Sequence, residues 1–303
     1  MGLKKKKGLI VMLGVLCILL AVYFALQSWN RRQEEGEQAR EEAEVIHVTD
    51  TAAGDIVSFS YDVGNGTLSF EKRDGQWYYT EDEDFPLNQS VPDQIAETIG
   101  QITAERELTD GDAMADYGLD EPMYTLEYTD ASGETVTAQF GDLTGDYYYV
   151  SVNGGEPVYT VSSSVIDGLG YTLDDMAVLD DYPAIGSGNL VSESITQNGE
   201  TTTYDSENED QDEDIAAVAG GLGAVTLSDV ADYSVADEDL AGFGLDETSR
   251  ITVEAVYTEE GEEKTLTLYI GSEDESGNRY VMINDSRIVY RISEEICQNI
   301  LNC

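Results

Sequence analysis

Apart from carboxylates, the side chains that could carry chemistry are few. The 303-residue chain has one histidine, His47, and three cysteines, Cys17, Cys297 and Cys303, against 62 aspartates and glutamates. A single histidine supports neither a histidine-based triad nor a multi-histidine metal site. No G-x-S-x-G, P-loop, H-E-x-x-H or post-strand G-x-G-x-x-G motif occurs. Gly220-Gly221-Leu222-Gly223 lacks the lysine and the spacing of a phosphate loop. The acids leave two chemistries to weigh. Paired carboxylates could hydrolyse a glycosidic bond, but acids this abundant single out no pair. A calcium loop starting at Asp205 has acids at positions 1, 3 and 5, yet Asp210 stands where glycine is required and Ala216 where the bidentate glutamate belongs. The tract Asp205 to Asp214 therefore reads as a charged, mobile surface loop with at most weak cation binding. The expectation is a protein without catalytic residues, cofactor or metal.

What organises the chain is a stretch used twice, Tyr117-Gly118-Leu119-Asp120-Glu121 and Phe243-Gly244-Leu245-Asp246-Glu247. A helical turn precedes each. Thr109 with Asp112, and Ser234 with Asp237, have the hydroxyl-to-acid spacing of a helix start. Gly118 and Gly244 suit the left-handed position just past a helix end, where a Cβ is penalised. In that motif the residue after glycine packs back on an earlier one, pairing Leu119 with Met114 and Leu245 with Leu240. The eight residues Tyr117 to Asp120 and Phe243 to Asp246 are thus candidate structural caps, with a binding role as the alternative.

The same grammar follows each cap. Copy one has a hairpin running to Phe140-Gly141, then Tyr148 to Val152 and Val158 to Val161. Copy two has a hairpin running to Ile270-Gly271, then Arg279 to Ile283 and Ile288 to Ile292. Alternation of apolar and polar residues marks these as strands. Ser162 and Ser293 open short closing helices. Upstream, Ile95, Ile99 and Ile102 mark a helix beginning near Pro92, and Ile215, Val218 and Leu222 mark its counterpart. Gly220, Gly221 and Gly223 predict that the second is weaker or shorter. Strands precede both helices. The fold expected is α+β, with two tandem repeats, each a mainly antiparallel sheet with one or two packed helices. The boundaries are 46–180 and 181–303, with a break in the pattern from Leu179 to Ser187.

Residues 1–8 form a basic head with Lys4, Lys5, Lys6 and Lys7. Leu9 to Leu26 carries no charge and spans about 27 Å as a helix, so residues 9–29 read as a retained transmembrane anchor. The lysines place the head in the cytoplasm and the remainder outside. A cleaved signal peptide and a lipoprotein site at Cys17 are the competing readings; the run is long for the first, and Leu16 and the apolar continuation argue against the second. Residues 30–45 read as a polar stalk, to which His47 is assigned. Residues 33–303 hold all 62 acids against nine basic residues, a net charge of −53. That opposes nucleic-acid binding and attachment to an anionic membrane surface, and suits a cation or a basic partner. So few cysteines exclude a disulfide framework and fit a bacterial cell membrane and envelope; Cys297 reads as a small core residue.

These residues, (Phe/Tyr)-Gly-Leu-Asp, then Phe140-Gly141 or Ile270-Gly271, Tyr149-Val150 or Tyr280-Val281, and Val158-Tyr159 or Val289-Tyr290, resemble the bacterial domain-of-unknown-function 4340 (DUF 4340) family over both repeats. Copy one keeps the proline after Gly-Leu-Asp-x, at Pro122; copy two has Thr248. The resemblance implies an anchored envelope protein that accompanies an ABC-type transporter, permease and ATPase, of the gliding-motility-related kind. It implies no catalytic residues. Three functions follow as expectations: an accessory binding or scaffolding subunit of such a system, a free-standing cell-surface or cell-wall interaction protein, and a carboxylate-based hydrolase.

Overall fold

The structure, a computed structural model, describes residues 45–302 apart from Asn65 and Asp110. The basic head, the anchor at 9–29 and nearly all of the stalk lie outside the described residues, as do Cys17 and Cys303. Among the described residues no helix is long and apolar enough to cross a membrane.

The first repeat opens with β1 (Ile46–His47), β2 (Ile56–Asp62), β3 (Thr67–Arg73) and β4 (Gln76–Tyr79). Helix α1 (Ser90–Gly100) follows, then the short strands β5 (Thr103–Ala104) and β6 (Arg106–Leu108). Four longer strands come next: β7 (Tyr124–Asp130), β8 (Thr135–Thr144), β9 (Tyr147–Val152) and β10 (Val158–Ser162). Two four-residue helices, α2 (Ser164–Asp167) and α3 (Leu173–Met176), close it. Eight strands form one antiparallel sheet in the order β4-β3-β2-β7-β8-β9-β10-β6. One face carries Phe59, Phe70, Trp77, Leu126, Tyr128 and Phe140 and is covered by Val91, Ile95, Ala96 and Ile99 of α1, an arrangement that buries the apolar half of each alternating strand.

The second repeat has the same plan. It comprises β11 (Leu190–Gln197), β12 (Glu200–Asp205), α4 (Asp212–Gly223), β13 (Val230–Asp232), β14 (Ile251–Glu259), β15 (Glu262–Glu273), β16 (Asn278–Ile283), β17 (Val289–Ser293) and α5 (Glu294–Leu301). The sheet order is β12-β11-β14-β15-β16-β17-β13, the first sheet's order without a counterpart of β4. Ile251, Val253, Ala255 and Tyr257 of β14 alternate inward, and α4 and α5 cover them with Ile215, Val218, Leu222, Cys297 and Ile300. The architecture is α+β, with mainly antiparallel sheets and a few helices.

Four sequence expectations are corrected. His47 lies not in a stalk but in β1, paired opposite Thr103 of β5 in a separate two-stranded sheet. The turns before the repeated motif are 3-10 turns that start later than Thr109 and Ser234, at Met114–Tyr117 and Leu240–Phe243. In the first, the Asp112 N–H donates to the Tyr117 hydroxyl at 3.0 Å and the Ala113 N–H to Asp116 at 3.1 Å, so side chains hold the approach extended. Helix α4 is not shorter than α1, with 12 residues against 11. Its glycines permit contact: a Cβ on Gly221 would lie 2.5 Å from the Ile300 nitrogen of α5, and one on Gly223 2.5 Å from the Ile185 carbonyl. The tract Asp205 to Asp214 is ordered backbone rather than a bare loop. It ends β12, makes a 3-10 turn at Glu209–Gln211, and supplies Asp212, Glu213 and Asp214 to the first turn of α4, where the helix dipole favours acids.

Candidate functional site

The repeated motif sits against its own sheet in the same way in both copies. Gly118 has φ +70° and Gly244 φ +66°, the left-handed conformation that costs a Cβ-bearing residue energy. The Leu119 N–H reaches back to the Met114 carbonyl at 3.0 Å, and the Leu245 N–H to Leu240 at 2.9 Å. Leu119 and Leu245 are buried in small satellite clusters with Met114 and Leu240 respectively. Asp120 is exposed. Asp246 accepts from the Thr248 hydroxyl at 2.5 Å, and that bond holds its carboxyl below the usual range. Gly141 and Gly271, on β8 and β15, let the caps approach: a Cβ there would lie 2.1 Å from the Tyr117 carbonyl and 2.2 Å from the Phe243 carbonyl. The first residue of each motif packs its ring against a strand tyrosine, Tyr117 tilted against Tyr149 at 4.7 Å and Phe243 edge-on against Tyr280 at 5.0 Å. The two motifs thus stand apart, one per sheet, each bracing one tyrosine.

A family model described as a domain of unknown function, DUF4340, matches residues 77–218 and again 201–302. The chain belongs to the DUF4340 family. The two matched regions fit two tandem copies. No curated protein and no solved structure matches the chain.

The braced tyrosine marks where the two DUF4340 copies diverge. In the second copy Tyr280 is the cross-strand partner of Arg291. The Arg291 guanidinium lies 5.8 Å from the Tyr280 ring centre, donates to Asp229 at 3.0 Å and to the Val230 carbonyl at 2.9 Å, and approaches Asp274 at 3.5 Å. Asp274 is held below the usual carboxylate range, first by the Asn278 N–H and then by Ser276 and Arg291. Arginine, tyrosine and two acids close that position with a network internal to the copy.

In the first copy the register of β8, β9 and β10 is the same as that of β15, β16 and β17, and the residues are not. Tyr149 pairs with Thr160, which takes the place of Arg291. Thr160 in turn pairs with Arg106, which takes the place of Asp229. Thr144 pairs with Tyr147 as the Asp274 N–H pairs with the Asn278 carbonyl. With two threonines replacing an arginine and an aspartate, a cavity of about 210 Å³ opens, lined by Glu105, Arg106, Leu108, Thr144, Tyr147, Tyr149 and Thr160. Its polar groups are a guanidinium, a carboxylate and four hydroxyls, each hydroxyl both donor and acceptor. Sequence reading placed Tyr149 and Thr160 on strands and missed the groove they line with the rest. The three-residue strand β6, which brings Arg106 here, has no periodicity to betray it.

One titratable group in the second copy is out of keeping with its surroundings. Glu193 of β11 is fully buried, and neither carboxylate oxygen has a hydrogen-bond partner. Burial alone pushes its carboxyl up to about 8. The Tyr182 hydroxyl nearby is also buried without a partner. Cys297, on α5, is buried, and burial pushes its thiol up to about 12, which leaves it an unreactive core residue.

Proposed function

We propose that this protein is a non-catalytic extracytoplasmic binding and scaffolding protein, held at a bacterial membrane by residues 9–29 and serving as an accessory component of an envelope ABC-type transport system. The observation that carries the binding role is the open groove of the first copy, set against its filled counterpart in the second. The same framework of braced tyrosine and antiparallel strands closes on itself in the second copy and stays open in the first, and the open one is lined by recognition groups. The transporter as partner is supported by family resemblance, and the outward orientation by the lysine-rich head followed by a charge-free run of 18 residues. The net charge of −53 over residues 33–303 favours basic contact surfaces on the partner.

The test is affinity purification of the full-length protein from native membranes after mild crosslinking, read by mass spectrometry. Recovery of a permease with its ATPase supports the accessory role. Recovery of the protein alone, with every transporter intact in a deletion strain, overturns it. A second reading, a free-standing cell-wall interaction protein, draws on the same open groove. Salt-sensitive retention of the protein on cell-wall preparations, without transporter subunits, distinguishes it.

A further inference from the structure

We infer that the groove of the first copy is a binding site for a single neutral, polyhydroxylated ring, a sugar unit, seated on Tyr149 between β6, β8, β9 and β10. The inference deepens the binding role proposed above and rests on it.

Three features of the groove select this chemistry. Its lining residues include one acid, Glu105, and one base, Arg106, whose formal charges sum to zero, so the lining itself offers a carboxylate or an ammonium ligand no net counter-charge. Any anion would also enter against the acidic domain's field. Thr144, Thr160, Tyr147 and Tyr149 contribute four hydroxyls that donate and accept alike, which matches a ligand whose own groups are hydroxyls. Tyr147 and Tyr149 add aromatic surface for the apolar face of a ring, and Tyr149 is held in place from behind by Tyr117. The volume of about 210 Å³ lies below the usual range for drug-sized ligands and suits one ring rather than a chain.

The second copy supplies the control. There, Arg291 fills the corresponding space and satisfies it with Asp229 and Asp274. Divergence at Thr160, Arg106 and Thr144 removed that filling while keeping the tyrosine, its brace and the register of the three strands β8, β9 and β10. A position emptied of its internal network but still lined with paired donors and acceptors is what a ligand site requires.

The experiment uses the full chain in a detergent without a sugar headgroup. Saturation-transfer NMR is recorded with glucose, galactose and N-acetylglucosamine, each at millimolar concentration, and with arginine and acetate as charged probes. The expected result is transfer to at least one sugar and none to arginine or acetate. Thr160→Arg combined with Arg106→Asp rebuilds the second copy's arginine–aspartate pair in the groove, and sugar affinity should fall at least tenfold with the melting temperature unchanged. Thr144→Val, which keeps the shape and removes one hydroxyl, should weaken binding severalfold. Transfer to no sugar, transfer to arginine or acetate instead, or sugar transfer unchanged in the double variant each overturns the assignment. Because partner capture is read separately by crosslinking, a failed sugar test leaves the accessory role standing, and a failed capture leaves the groove's ligand standing.

Discussion

Glu193 occupies in the second sheet the place that Phe59 occupies in the first. Each follows an irregularity in the register, between Ile56 and Ser58 in one sheet and between Leu190 and Ser192 in the other. Phe59 lies between Phe70 and Tyr128 as cross-strand neighbours, and Glu193 between Tyr204 and Ala255. Phe59 is the centre of an aromatic cluster, with ring centres 5.1 Å from Phe70 and 4.9 Å from Trp77. The second copy lacks the strand that carries Trp77, and a carboxyl takes the aromatic's place.

The consequence is a stability that falls with rising pH. In the unfolded chain Glu193 loses its proton near its ordinary value of 4.5, whereas in the folded protein it keeps it up to about 8. Between these values the native state holds the extra proton, so stability declines as pH rises through the window and levels off above it. Each pH unit is worth up to about 1.4 kcal/mol at full effect. Glu193→Leu should remove this dependence and stabilise the protein at pH 8 by a few kcal/mol, on the order set by that slope. Urea midpoints at pH 5, 7 and 9 test it. Parallel profiles for the variant and the parent would show that Glu193 ionises normally in the fold.

The cap-to-strand contact predicts a sharp difference among glycines. Gly141→Ala and Gly271→Ala each drive a Cβ into a carbonyl oxygen, at 2.1 and 2.2 Å, and backbone cannot move aside cheaply. Each should cost more than about 2 kcal/mol, in the range of overpacked sites. Gly242→Ala, with nothing within 4 Å, should be neutral or slightly stabilising. Thermal denaturation of the three variants, side by side, provides the comparison.

How much of this could be read from the chain follows from what each feature depends on. Strands of the second sheet were legible because one face is buried: in β14, Val253 and Ala255 flank the exposed Glu254. The start of α5 was legible because Ser293 caps it, accepting from the Ile296 N–H at 3.3 Å. The left-handed glycines were legible because they follow from local backbone alone. The groove was not, because Arg106, Thr144, Tyr149 and Thr160 meet only through the register of four strands. Nor was the role of Gly221 and Gly223, since propensity counts the cost of glycine in a helix and is blind to the backbone packed against it, that of α5 at Ile300 and that of Ile185. Glu193 was hidden among 62 acids until burial distinguished it.

A glutamine immediately before a helix secures the outer strand of each sheet. The Gln89 side chain, just before α1, accepts from the Trp77 N–H at 2.8 Å and donates to the Trp77 carbonyl at 3.0 Å. Gln211, just before α4, accepts from the Asp205 N–H at 3.1 Å and donates to the Thr203 carbonyl at 3.3 Å. Each amide stands in for a neighbouring strand at an edge that would otherwise offer free backbone groups. Gln89→Ala should cost about 1–2 kcal/mol, the value of an interrupted pair at a half-buried site. It should also speed amide exchange at Trp77 while leaving Phe140 unaffected. Equal exchange at Trp77 in both proteins would show that the clamp contributes nothing.

Tyr233 reaches from the second copy onto the first. Its ring lies 5.0 Å from Phe85, edge-on, its side chain packs against the first core, and its hydroxyl donates to Asp174. Burial and that carboxylate push its hydroxyl well above the ordinary tyrosine range, so it remains a donor. The next residue adds a second tie, with the Ser234 hydroxyl donating to Asp82 at 2.5 Å. Each sheet has its own core cluster, so contacts of this kind decide whether the copies unfold together. Tyr233→Ala with Ser234→Ala removes both ties at once. The parent is expected to melt in one calorimetric transition, and the double variant in two, with the first lowered by several degrees, as expected for a loss of about 2 kcal/mol in a domain of this size. A single transition at an unchanged temperature in the variant would show that the copies are coupled elsewhere, and the next pair to replace would be Tyr290 and Asp180, which exchange two hydrogen bonds at 2.8 and 2.9 Å.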